Sequence, residues 1–274
     1  MTYLSSNQLK QYNEKGYLAP IEVLSESEAL AARKEIEFIE KEMPNEIDNS
    51  GRYNVHLISP RLDSIVHNSK ILDVVESIIG KNILVCSTTL FIKNPNEQGF
   101  VSYHQDAKYI GLEPHNWVTA WVALTDSYEE NGCMKMWPKS HLEIKDHNEK
   151  FDKGNLLTRG QTVENVPENE VELVELKAGQ MSLHHPRIVH GSGINKSNDR
   201  RIGFVIQSYI GTNVRQTLGK NSVQLARGKD YFGYHELIKR TKSLMTVENI
   251  ALRNKENEYL QEIFYNGAKQ KGFY

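Results

Sequence analysis

The chain has 274 residues, 39% of them hydrophobic and 25% charged, which is enough for one sizeable domain with a real core. Its formal net charge of −2, with basic residues scattered among acidic ones, gives no electrostatic case for nucleic acid or an anionic membrane as partner. Two cysteines, Cys86 and Cys133, without a CxxC pair exclude a cysteine zinc site and a disulfide scaffold.

The N-terminus lacks the apolar core of a signal peptide, and no segment approaches the ~20 apolar residues that span a bilayer. A cytoplasmic protein with reduced thiols is the expectation. Leu9 and Tyr12 before Gly16 predict a short first helix. Ser25, with Glu28 three residues on, forms a capping box for a second. Leu30, Ala31, Ile36, Ile39 and Met43 follow its helical period, and the Lys- and Glu-rich stretch 36–42 reads as a solvated face. A further helix over 69–79 carries Ile71, Leu72, Val75 and Ile78, and Gly80 stops it.

From residue 83 the texture changes to short apolar or alternating runs broken by turn residues. Segments 83–87, 89–93, 118–124, 133–137, 171–176, 180–184 and 202–207 predict strands. The alternation with helices that a parallel sheet requires is missing over 83–210, so a jelly roll or barrel follows. Helical texture returns from about residue 234, and the tail 269–274 carries no functional signal. The expected fold is mainly β with flanking helices. It forms a single domain, with helical decoration over 1–82, the jelly-roll core over 83–210 and a largely helical extension over 211–274.

The triplet His104-Gln105-Asp106 is the most informative motif. In an extended strand, residues two apart share a face, so His104 and Asp106 can chelate one ion while Gln105 faces away. A third ligand must come from another strand, and His190 lies 86 residues later (190 − 104). Two imidazoles and a carboxylate suit Fe(II) on one face with the opposite face open. His184 and His185 are alternatives by proximity, but alternation turns only one of them inward and Pro186 breaks the strand before His190. His190 is preferred because Arg201 follows it by 11 residues (201 − 190), past the small residues Gly191, Ser192 and Gly193. An arginine at the start of an apolar strand needs an anionic partner, and a dicarboxylate co-substrate supplies one through two parallel hydrogen bonds.

At these residues the chain resembles the phytanoyl-CoA dioxygenase family of Fe(II)/2-oxoglutarate oxygenases. The similar stretch covers about 90–209 and includes the triplet, Trp121, the turn Glu130-Asn131-Gly132-Cys133, Pro138-Lys139-Ser140-His141, His190-Gly191-Ser192-Gly193 and Arg201. The opening Tyr12-Asn13-Glu14-Lys15-Gly16-Tyr17 is also similar to the family's first helix and turn. The resemblance implies a double-stranded β-helix of the cupin-like jelly-roll type, with iron held by His104, Asp106 and His190. It implies 2-oxoglutarate as co-substrate with O₂, its distal carboxylate on Arg201 supported by Ser192, Trp121 walling the pocket, and Lys93 and Thr89 as further contacts. Halogenating relatives replace the carboxylate of the triplet with a small residue, so Asp106 implies hydroxylation, with release of succinate and CO₂.

Tyr103, Lys108, Tyr109 and Arg159 are candidate substrate contacts from their places beside the triplet and in the loop over 155–161. His115 and Trp117 are candidates for a flap, and His141 for a turn. The expected partner is a small molecule: a secondary metabolite, an amino-acid derivative, an aminophosphonate or an acyl compound. Oligomeric state is not legible. Two other functions compete: a metal cupin isomerase or lyase that uses no 2-oxoglutarate, and a non-catalytic jelly-roll binding module. Arg201 discriminates against the first, and iron binding against the second.

Overall fold

A computed structural model describes residues 4–268; the tail at 269–274 lies outside the described residues. The elements that position the site are helices α1 (Ser6–Lys15), α2 (Glu26–Glu42), α3 (Pro60–Val66), α4 (Ser69–Ile79), α5 (Ala107–Ile110) and α6 (Val247–Phe264). The strands are β1 (Tyr17–Glu22), β2 (Ile83–Val85), β3 (Thr88–Lys93), β4 (Val101–His104), β5 (Trp117–Ala123) and β6 (Met134–Trp137). They continue with β7 (Glu172–Val174), β8 (Gln180–His184), β9 (Val189–Ser192), β10 (Arg201–Gly211) and β11 (Ser222–Arg227).

The caps read from the sequence are present. Ser25 and Glu28 form the reciprocal capping box of α2, and Gly16 ends α1 in the left-handed conformation at φ 86°. The buried stripe of α2, however, is Ala29, Ala32, Ile36 and Ile39, while Leu30 and Met43 are exposed. The 3-4-3 spacing of the first set keeps it on one line over the core, and Leu30 falls beside that line. On α4, Ile71, Leu72, Val74, Val75 and Ile79 are buried, as its amphipathic pattern requires.

An eight-stranded sheet runs β1-β8-β5-β10-β2-β11, extended at one edge by Glu236–Leu237, with β3 also paired to β10. A four-stranded sheet runs β7-β6-β9-β4. The pairs named within the two sheets are antiparallel apart from that short edge strand. Central strand β5 is buried at every position. One face, Val118, Ala120 and Val122, joins the helices in the main core, and the other, Thr119, Trp121 and Ala123, turns toward the second sheet. That double burial explains a near-continuous apolar run where a half-exposed strand would alternate.

Three sequence expectations are corrected here. Residues 17–22 form edge strand β1 against β8, and β11 lies beyond residue 210, so both flanks contribute to the large sheet. The C-terminal helix begins at Val247 rather than near 234. Trp117 is no flap residue: it starts β5, is 1% exposed and donates from Nε1 to the Leu112 carbonyl at 3.2 Å.

Candidate active site

The two sheets flank a cavity whose wall includes His104, Asp106, Trp121, His190, Ser192 and Arg201. Strand pairing creates this convergence. His190 on β9 is the direct cross-strand partner of His104 on β4, and their rings lie 4.2 Å apart, centroid to centroid. The Nδ1 of His104 lies 2.9 Å from the Ser102 carbonyl, and that of His190 lies 3.1 Å from the Ile188 carbonyl. A carbonyl only accepts, so each Nδ1 carries the proton and each Nε2 presents a lone pair.

Asp106 completes the set, though not as a strand residue. β4 ends at His104, and Asp106 sits in helical geometry (φ −57°, ψ −42°) as the cap of α5. The expected extended i, i+2 chelate is therefore replaced by a strand-to-helix turn, which swings the carboxylate back over the histidines. Gln105 does face away, as expected. Its side chain accepts from the Lys145 N–H at 2.8 Å and donates to the Glu143 carbonyl at 2.9 Å and to the Arg187 carbonyl. That clamp fixes the turn. Asp106 Oδ1 lies 3.3 Å from His104 Nε2 and 4.0 Å from His190 Nε2.

His104, Asp106 and His190 each offer a ligand atom within 4.8 Å of the others, and all three are buried. This donor set, with both imidazoles oriented by backbone carbonyls, fits a divalent iron. Burial works against the Asp106 carboxylate, yet the imidazoles of His104 and His184 at its oxygens hold it well below the usual carboxylate range. Burial, then the neighbouring His104, keeps His190 neutral by depressing its pKa well below the ordinary value. Both directions favour the protonation states that bind metal.

Arg201, on the cavity wall, is the direct cross-strand partner on β10 of Lys93 on β3, with exposures of 1% and 0%. Like charges set opposite one another repel, and among the described residues no carboxylate forms an ion pair with either. Arg201 donates to the Gly132 carbonyl at 2.9 Å and lies 5.4 Å from the Trp121 ring centroid, and its Nε has no partner. Lys93 donates to Ser192 Oγ at 2.7 Å and to the Gly193 carbonyl. Burial, then the nearby Arg201, pushes the Lys93 ammonium down to about 6, and burial pushes Arg201 down to about 10.

A second lobe shares His104, Asp106, Phe91, Leu157 and Gln207 with the first. Thr89 lines this lobe, not the one beside Arg201, and its hydroxyl donates to Gln207 Oε1 at 3.2 Å. Tyr109 lines it as well. Tyr103 and Lys108 line neither lobe: the Tyr103 hydroxyl donates to Glu168 at 3.1 Å, and Lys108 is exposed. The guanidinium of Arg159 is engaged by Glu149 and by the carbonyls of Phe264 and Asn266. His141 binds the Asn13 carbonyl through Nε2 at 3.1 Å, a turn role.

Sequence reading missed Thr119, whose Oγ lies 3.0 Å from Asp106 Oδ2, and Gln207. Alternation along β5 places Thr119 on the face of Trp121, so that signal was available. Gln207 sits at an irregularity of the β10 pairing, where alternation gives no guide.

Two facing antiparallel sheets around a buried His-Asp-His cluster form a jelly-roll scaffold with a candidate metal site between them. Residues 12–203 match the phytanoyl-CoA dioxygenase (PhyH) family model, and the chain belongs to that family. A probable alpha-ketoglutarate-dependent hypophosphite dioxygenase of Stutzerimonas stutzeri is 31% identical over 169 residues, 61% of this chain and 58% of that protein. The peroxisomal phytanoyl-CoA dioxygenase of Bos taurus is 28% identical over 224 residues, 72% of this chain and 66% of that one. Several of the curated relatives it resembles are matched over little more than half their length, 55–58%. The solved structure of the apo non-haem monooxygenase ThoJ superposes with a TM-score of 0.84 at 29% identity, covering 95% of this chain and 99% of that one. Among the described residues no helix is long and apolar enough to cross a membrane.

Proposed function

We propose that this protein is an Fe(II)- and 2-oxoglutarate-dependent hydroxylase of a small molecule. The observation that carries the reading is Arg201, buried on the wall of the cavity that holds the His-Asp-His cluster and joined to no carboxylate among the described residues, with Lys93 as its direct cross-strand partner. A buried guanidinium is costly without an anion, and a dicarboxylate reaching from the cluster to Arg201 supplies one and favours the protonated form of Lys93 beside it.

In this reading His104, Asp106 and His190 hold the iron, and Arg201, Lys93 and Ser192 take the distal carboxylate. Bound iron with 2-oxoglutarate supplies the oxidant for C–H hydroxylation, coupled to loss of CO₂ and formation of succinate. The chain's own part is binding, orientation and exclusion of water. Trp121 walls the co-substrate end, and Arg201 over its ring gains a cation–π contact there. Retention of Asp106 favours hydroxylation over halogenation.

The primary substrate belongs in the second lobe. Hydroxyls and amides of Tyr53, Thr158, Gln161 and Gln207 line it with Ile110 and Phe264, and among the described residues on its wall Asp106 is the only Asp, Glu, Lys or Arg. An anion there would lack a cationic side chain to pair with, so an uncharged, hydrogen-bonding molecule fits better than a phosphonate or a coenzyme A ester. The hypophosphite named for one relative is an anion, so specificity is expected to differ from that protein's.

The test is anaerobic reconstitution with Fe(II) and 2-oxoglutarate, watched for the weak visible charge-transfer band of the chelate. The band is expected. Its absence with iron confirmed in the protein would refute the co-substrate assignment.

A further inference from the structure

His184 is a third imidazole beside the cluster, and so far it has entered only as a neighbour of Asp106. It is 1% exposed, it lines the main cavity, and neither of its ring nitrogens has a hydrogen-bond partner. Two orphaned polar atoms in a buried ring are rare in a finished structure and point to a partner that arrives or shifts. Its ligand atoms do not join the converging set, which comprises His104, Asp106 and His190. A place just outside the metal's own ligands is what remains.

The strand register explains that place. His184 on β8 is the direct cross-strand partner of Thr119 on β5, so both side chains emerge on the same face of the sheet. Both address the same atom: Thr119 Oγ lies 3.0 Å from Asp106 Oδ2, and His184 Nε2 lies 3.6 Å from it. The other carboxylate oxygen, Oδ1, faces His104 and His190. The carboxylate is thus divided into a metal-side oxygen and a protein-side oxygen. Thr119 cannot hold the protein side alone. Its hydroxyl has a single proton and two acceptors in reach, Asp106 Oδ2 at 3.0 Å and the Gln207 carbonyl at 2.9 Å.

We propose that His184 is a positioning residue that donates from Nε2 to Asp106 Oδ2 and so fixes Oδ1 toward the metal. A shift of about half an ångström brings the pair to hydrogen-bond length. This rests on the reading that the cluster binds metal, and it adds a residue that acts on metal affinity through Asp106.

The experiment measures equilibrium binding of Mn(II) to the apo protein, without 2-oxoglutarate or substrate, for wild type and three variants. His184→Phe keeps the ring but no donor. It is expected to weaken Mn(II) binding about 10- to 100-fold, the usual loss for a group that orients a metal ligand. His184→Gln puts an amide N–H near the Nε2 position and is expected to recover most of that affinity. His184→Asn, whose donor falls near Nδ1 instead, is expected to stay weak, and it replaces the Phe variant should that one not fold. Equal Mn(II) affinity in wild type and all folded variants overturns the proposal, as does an effect confined to the KM of a substrate. A wild-type protein that binds no Mn(II) overturns the metal reading itself, which separates the two failures.

Discussion

Lys93 and Arg201 show how a single pair of residues can announce a missing partner. Burial lowers the Lys93 ammonium to about 6 from an ordinary 10.5, so between those values the unfolded chain holds a proton that the folded chain has released. Stability rises with pH wherever the unfolded state binds more protons, so this group makes the apo protein less stable below about pH 6 and relieves it as pH climbs toward 10.5. A carboxylate placed beside Lys93 reverses the depression, and binding above pH 6 then takes up a proton. Titration of 2-oxoglutarate into the metal-loaded protein at pH 8, in buffers of different ionisation enthalpy, is expected to show uptake of about one proton, absent in Lys93→Met. A buffer-independent enthalpy in the wild type would contradict it. Arg201→Ala removes the two-pronged grip, and 2-oxoglutarate binding is expected to fall on the order of a hundredfold or more while iron affinity stays near wild type.

At the scale of elements, the site depends on which strands lie side by side and on what their neighbours leave room for. The sequence made His104, His190 and Arg201 legible because a donor set and a charged residue in an apolar strand each carry a chemical demand. It did not reveal the turn that delivers Asp106, because Gln105 holds that turn through backbone groups of residues 143, 145 and 187, which no local pattern connects. Gly203 is a similar case. It follows Arg201 by two residues on β10, and a Cβ there would lie 2.1 Å from Trp121 Cζ2. The absent side chain makes room for the indole that Arg201 covers. Gly203→Ala must push Trp121 aside, with an expected destabilisation of about 1–3 kcal/mol in chemical denaturation. The same variant is expected to bind 2-oxoglutarate more weakly. An Ala variant with unchanged stability and co-substrate affinity would show that the indole has room to move.

Across the whole molecule, the last helix reaches back over the core and closes the second lobe. Phe264, at the end of α6, lines that lobe and packs edge-on against Tyr53 at 5.7 Å between ring centroids. The loop over 155–161, joined to Tyr53 through Thr158 at 2.9 Å, adds Leu156, Leu157 and Thr158 to the wall. Sequence reading made Arg159 a candidate substrate contact, since nothing in its neighbourhood shows that a helix terminus 105 residues away is its partner. Arg159 instead ties three parts of the chain together: it pairs with Glu149, donates to the Phe264 and Asn266 carbonyls, and lies 5.0 Å from the Tyr109 ring centroid. Carbonyls at a helix end have no partner within the helix, so the guanidinium both caps α6 and fastens it to the loop. Arg159→Ala leaves those carbonyls and Glu149 without their donor, at an expected local cost of about 2 kcal/mol. Because the loss falls on the last helix and the loop it is fastened to, it is expected as faster amide hydrogen exchange confined to the end of α6 and residues 155–161, with exchange in the central strands β5 and β10 unchanged. If the clasp also keeps water from the second lobe, the variant consumes more 2-oxoglutarate per molecule of product than wild type. Exchange that rises equally everywhere would show that Arg159 supports the core as a whole; exchange that does not change would show that α6 is held by its apolar face alone.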